Sequence, residues 1–182
     1  MSMARRMNGR SVPTIVLEHA RPEQQPAIEN MFQLYTHDFS EQWWDRADGE
    51  LREDGRFAPY NLDPYWKEPG RIPLVLRLEE RLVGFALLDD RSHTASGALD
   101  RNMAEFFIAR KHRRSGVGTA AAQAIFSAYP GRWEADVARR NAGALAFWRN
   151  AIATHPNVSE ISETDVANAL WNGWVLRFRV GG

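Results

Sequence analysis

The chain has 182 residues, 44% hydrophobic and 25% charged, which fits one domain with a sizeable core and excludes a disordered polymer. Its 23 basic residues balance 23 acidic ones, so no overall charge draws it to nucleic acid or to an anionic membrane. It has no cysteine, which excludes disulfides, cysteine nucleophiles and thiolate zinc sites, and it has no apolar run long enough to cross a bilayer.

Residues 1–12 read as a basic, disordered leader with no apolar segment behind it, which is not a secretory signal, so a cytoplasmic location is expected. Residues 13–182 read as a single domain. Thr14–Glu18 is a short β-branched run that predicts a first strand. From Pro22 the pattern turns helical, with Ile28, Met31, Phe32, Tyr35 and Phe39 on one apolar stripe. Ala47 to Gly70, about 24 residues without periodicity, is long for a plain connection. Its Phe57, Tyr60, Tyr65 and Trp66 predict that it packs on something.

Pro73–Leu78 and Leu82–Leu88 predict a hairpin turning at Glu79, Glu80 and Arg81. Met103–Ala109 is a further strand. Val117, Ala120, Ala121, Ala124, Ile125 and Ala128 form a helical stripe stopped at Pro130-Gly131. Arg132–Val137 predicts a strand, Leu145, Trp148 and Ile152 a helix opening near Asn141, and Trp174–Val180 a last strand. The order of elements is that of an α/β (α+β) domain.

The stretch from Ala104 to Thr119 carries the chemistry. A strand runs into a basic turn with Gly116 and Gly118, then into an Ala-rich helix. Glycines admit close backbone approach, a helix N-terminus presents unpaired N–H groups, and Arg113 and Arg114 add positive charge, so the segment reads as an anion site. Neither the G-x-x-x-x-G-K-[ST] pattern nor the full G-x-G-x-x-G pattern is present. The histidines at 19, 37, 93, 112 and 155 have no metal-ligand spacing, so no metal site is assigned.

Arg113-x-x-Gly116-x-Gly118 resembles the R/Q-x-x-G-x-G/A signature of the GNAT family of N-acetyltransferases. Asn141-x-x-Ala144-x-x-Phe147-Trp148 is similar to the N-x-x-A-x-x-F-Y pattern that follows that family's fifth strand. The resemblance in motifs covers about Met103 to Ile152. It implies a twisted mixed β-sheet with helices on both faces and a cofactor cleft where the fourth and fifth strands splay at a β-bulge.

It further implies that acetyl-CoA is bound, with pantetheine along Phe107, Ile108 and Ala109. The pyrophosphate would lie on Arg113, Arg114, Ser115, Gly116, Val117, Gly118 and Thr119, with Asn141, Ala144, Phe147 and Trp148 completing the cofactor side. The implied reaction is acetyl transfer to an amine, carried by a small molecule or a peptide, by direct attack in a ternary complex. Glu105 is the candidate base. The family's tyrosine acid is replaced by Trp148, an indole with no useful proton to give. Tyr35, Tyr60 or Tyr65 would then supply the acid, with Tyr35 and Tyr65 leading, or solvent would. Tyr35, Asp38, Tyr65 and Trp66 are the candidate acceptor contacts. A homodimer is compatible with this reading; nucleic-acid and membrane partners are not expected. Two alternatives stay open: a CoA-binding module without turnover, and an interaction protein on the same fold.

Overall fold

The computed structural model describes residues 6–7, 10–11, 13–41, 49–92, 99–168 and 171–182. Of the leader, only two strands are described, β1 (Arg6–Met7) and β2 (Arg10–Ser11), paired with each other. The strand β3 (Ile15–His19) leads through a turn of 3-10 helix at Pro22–Gln24 into α1 (Gln25–Ser40). Within the irregular segment, the described residues include the short helix α2 (Pro64–Lys67). The hairpin is β4 (Ile72–Leu78) and β5 (Arg81–Asp89). Then come β6 (Arg101–Ile108), α3 (Val117–Ala128), β7 (Gly131–Ala138), α4 (Ala142–Ala153), β8 (Val158–Ala167) and β9 (Asn172–Val180).

Seven strands form one sheet in the order β3-β4-β5-β6-β7-β9-β8. Every neighbouring pair is antiparallel except β6 and β7, which are parallel and joined by α3. Alternation along the strands divides the core in two. Leu74, Leu76, Ala86, Leu88 and Met103 point to one face, where they meet Ala121, Ile125, Phe126, Trp148 and Ile152 of α3 and α4. Val75, Phe85, Leu87 and Phe107 point to the other, where Ile28 and Phe32 of α1 and Leu62 and Tyr65 of the irregular segment cover them. Helices therefore lie on both faces, and the aromatic loop is packed on the sheet.

β8 is an element that the apolar pattern does not announce. Val158–Ala167 is acidic, and all but two of its residues are exposed at the edge of the sheet. A strand that buries almost nothing leaves no hydrophobic period to read.

Candidate active site

β6 and β7 pair over only three positions, Arg101 with Trp133, Asn102 with Glu134 and Met103 with Ala135. Beyond Met103 the two strands separate. The cause lies on the other side of β6. Leu88 of β5 faces Met103 and Leu87 faces Glu105, so Ala104 is an extra residue without a partner, a β-bulge that bends the strand. The splay expected between the fourth and fifth strands of the fold is thus present, with its closed end at Ala104.

The edge of β6 beyond the bulge faces the gap. The Ala109 N–H donates to Val83 O at 2.8 Å, so Ala109 and, by alternation, Phe107 are turned toward β5. The same alternation turns the backbone groups of Phe106 and Ile108 to the open side. Gly84 makes the β5 contact possible, because a Cβ there would stand 2.0 Å from Phe107 O.

At the end of β6 the chain turns through Arg110–His112 and enters α3 at Gly116, whose φ of +88° favours glycine. The first helical bond closes from the Ala120 N–H to Gly116 O, so the N–H groups of Val117, Gly118 and Thr119 have no acceptor within the helix. Gly118 has a packing reason: a Cβ would lie 3.2 Å from the Phe147 ring, so its absence lets α3 approach α4. Ser115 Oγ donates to His112 O at 2.8 Å and steadies the turn. Arg114 is exposed with φ of +58°. Arg113 is held differently. Its Nε donates to Ile108 O at 2.6 Å, its guanidinium pairs with Asp38 of α1, and it lies 5.3 Å from the Phe107 ring centre.

The second motif builds the start of α4. Asn141 is the N-cap, its Oδ1 accepting the Ala144 N–H at 3.0 Å. Ala144 and Phe147 pack against the core, and Trp148 is buried against Phe106, Phe126 and Phe147.

On the α1 face the structure gathers Tyr35, Tyr60, Tyr65 and Glu105. Burial, followed by the charge of Glu105 close by, pushes the Tyr35 phenol well above its ordinary value. Its ring sits among Phe39 at 4.6 Å, Phe32 at 5.1 Å and Phe107 at 6.3 Å. Tyr60 stacks on Phe32 at 4.4 Å, and burial, then the Glu105 and Asp89 carboxylates, push it up to about 12. Tyr65 is buried and also raised, first by burial and then by Tyr60, Asp89 and Glu105. Its hydroxyl has no partner at hydrogen-bonding geometry among the described residues. All three are therefore neutral phenols near pH 7, able to give a proton and unable to accept one as phenolates.

The other predicted acceptor contacts are committed elsewhere. Asp38 accepts from Arg110 at 2.6 Å and from Arg113; burial alone would raise its pKa, but the two guanidiniums hold it below the ordinary value. Trp66 Nε1 donates to Ala20 O at 2.8 Å and anchors the loop. A cavity of about 320 Å³ opens between α1 and the irregular segment, lined by Glu29, Gln33, Arg52, Asp54, Arg56 and Tyr60 among others.

Two further buried carboxylates carry no motif in the sequence. Glu134, fully buried on β7, accepts from Arg177 Nε and Ser92 Oγ, each at 2.8 Å. Asp89 accepts from Asn102 Nδ2 at 3.2 Å and Arg71 at 3.4 Å. The available signal is a carboxylate inside an otherwise apolar strand, as in Trp133-Glu134-Ala135. Among the described residues no group of three or more acidic or histidine side chains is placed to hold a metal. No helix among them is long and apolar enough to cross a membrane.

Residues 28–151 match the model of the Acetyltransferase (GNAT) family. The fold is similar to that of an acetyltransferase from Thermus thermophilus, 18% identical with a TM-score of 0.61 over 93% of this chain and 98% of that one. It is also similar to an aminoglycoside N(6')acetyltransferase from Legionella pneumophila, 11% identical with a TM-score of 0.54, covering 91% of each chain. A third likeness is a ribosomal-protein alanine N-acetyltransferase from Escherichia coli, 9% identical with a TM-score of 0.52, over 92% of this chain and 93% of that one. No curated protein sequence matches the chain significantly. The chain belongs to the GNAT acetyltransferase family.

Proposed function

We propose that the chain is an acetyl-CoA-dependent N-acetyltransferase acting on an amine. The observation that carries this reading is the gap beyond Met103 and Ala135, with the unpaired N-terminus of α3 at its far end. An open strand edge offers an amide-bearing arm a ladder to join, and free N–H groups at a helix start suit a pyrophosphate. The residues fit the group. Phe106 and Ile108 would hold the pantetheine, the N–H groups of Val117, Gly118 and Thr119 the phosphates, and Arg114 would add charge from the turn. Gly116 leaves the approach clear: a Cβ there would meet nothing nearer than Pro13 at 3.8 Å, and its φ resists any other residue.

When bound, acetyl-CoA supplies an acyl group activated as a thioester. The chain's own residues do the rest. Glu105 takes the proton of the acceptor amine, directly or through one water, since only the neutral amine attacks. The Ile108 N–H, turned to the gap, donates to the carbonyl oxygen as negative charge develops on it. Tyr35 directs its proton at Glu105 and orients that carboxylate. This leaves Tyr65, whose hydroxyl has no partner at hydrogen-bonding geometry among the described residues, as the leading phenol to protonate the departing thiolate. The acceptor enters from the α1 face, past Tyr60.

Thermal melting with acetyl-CoA, CoA and NADH tests the reading. Acetyl-CoA and CoA should stabilise the fold, by about 2.7 kcal/mol at a hundredfold excess over the dissociation constant, and NADH should not. Equal, negligible shifts from all three would remove the assignment. Trp148 favours a second reading, a CoA-binding module without turnover. Thiol release with a panel of amines separates the two, because a binder shifts its melting yet releases no thiol.

A further inference from the structure

The signature arginine stands in an unexpected place. α3 packs on one face of the sheet, but the Arg113 guanidinium lies over Phe107, which belongs to the opposite, α1 face. There it makes two bonds. Nε donates to Ile108 O at 2.6 Å, and the guanidinium reaches Asp38 of α1, 75 residues away. Arg110 joins Asp38 at 2.6 Å. Asp38 is mostly enclosed, its side chain 18% exposed, while that of Arg113 is 36% exposed. Pairs of this kind, bonded and partly withdrawn from water, hold geometry better than surface pairs do.

The bond to Ile108 falls where the sheet is weakest. Beyond the bulge β6 has no strand neighbour on the β7 side among the described residues, so the Ile108 carbonyl lacks a ladder partner there. Arg113 supplies one bond of the missing ladder, and Asp38 fixes Arg113 to α1. Asp38 lies three residues after Tyr35, so both project from the same side of the helix. One turn of α1 thus sets Tyr35 near Glu105 and reaches Ile108 O through Asp38 and Arg113.

We infer that Asp38 and Arg113 are positioning residues that brace the open edge of β6 from α1, so that Arg113 serves the acyl-bearing arm of the cofactor and not its phosphates. The brace ties the α1 face, where the acceptor enters, to the residue whose N–H polarises the thioester carbonyl. This inference rests on the acetyl-CoA reading.

Fluorescence titration of the intrinsic tryptophans tests it, using acetyl-CoA and acetyl-pantetheine, which carries no phosphate. Wild type, Arg113→Gln, Asp38→Asn and the double variant are compared below their melting transitions. Each single change should weaken both ligands by the same factor, about tenfold. The double variant should be no weaker than either single one, because the two residues act as a unit. Arg113→Lys, which keeps the charge but cannot span Ile108 O and Asp38 together, should fail to rescue, and it replaces the Gln variant if that does not fold. A loss at Arg113→Gln confined to acetyl-CoA, with tighter acetyl-CoA binding by Asp38→Asn, would overturn the inference and make Arg113 a phosphate ligand. Unchanged affinities for both ligands would overturn it as well, leaving the acetyl-CoA reading intact. A wild type that binds neither ligand would overturn both.

Discussion

The face of the sheet covered by α3 and α4 and the face covered by α1 are packed from different materials. Under α3 and α4 the contacts are aromatic and aliphatic: Phe126 meets Trp133 at 5.2 Å and Phe178 at 4.9 Å, and the Trp133 indole finds its one acceptor in Tyr129 O at 2.8 Å. On the α1 face of the sheet the apolar layer is interrupted by Glu105, Asp89, Glu134 and three phenols, with Asp89 and Glu134 bonded to arginines. Burying such groups opposes folding unless each finds a partner. A fold that buries its carboxylates on one face and packs mainly apolar rings on the other, where His155 is held by Ser127, has separated the part that handles protons from the part that holds its shape.

Substitutions on the two faces should therefore fail in different ways. The largest effect is expected at Glu105. Glu105→Gln keeps the shape and removes the base, so the rate of thiol release with an accepted amine should fall about 10²- to 10⁴-fold, while melting stays close to that of wild type. Next is Trp133→Ala on the opposite face, 1% exposed in wild type. Urea unfolding should show a loss of about 3–5 kcal/mol, and the molecules still folded should keep most of their kcat. If the first variant lost stability and kept its rate, or the second did the reverse, the contrast between the faces would be gone.

The smallest effect is expected at Asp100, which belongs to neither face. It stands at the closed end of the β6–β7 seam, where hydrogen bonds from the Arg132 side chain and then its backbone hold the carboxyl down to about 2. Its contribution to stability is complete above the ordinary carboxylate value and is lost as the pH falls through about 2. The side chain is 41% exposed, so solvent screening keeps the contribution below about 1 kcal/mol. Asp100→Asn should accordingly lower stability slightly at pH 7 and flatten the acid limb of the unfolding curve between about pH 4 and 2.

The legibility of the two faces in the sequence differs for the same reason. The apolar face advertises itself through period: the spacing of Val117, Ala121 and Ile125, and then of Leu145, Trp148 and Ile152, is enough to mark α3 and α4. The strand, turn and helix from Ala104 to Thr119 are equally plain, because Gly116 and Gly118 answer to backbone conformation and close packing, both local demands. The polar face is written in residues far apart. Tyr35 and Glu105 lie 70 positions from each other, and Asp38 and Arg113 are separated by 75. Local pattern assigns Arg113 by its neighbours in the turn, whereas its bonds are decided by how α1 lies across the sheet. Trp66 likewise reads as a loop aromatic, while its indole bond to Ala20 O spans 46 positions and depends on how the loop folds back.

The three-position seam between β6 and β7 also gives the molecule a mechanical character. Four strands on one side and three on the other are each paired along most of their length, so the sheet resembles a plate with a notch cut into it. Stress across a notch concentrates at its root, here the Met103 and Ala135 pair beside the unpaired Ala104. Amide exchange is expected to begin at that root and travel outward along β6, because its hydrogen bonds are the least supported in the sheet. Anything that lies in the notch and bonds to one lip while filling the space up to the other acts as a weld. It stiffens the whole plate from a single line of contact.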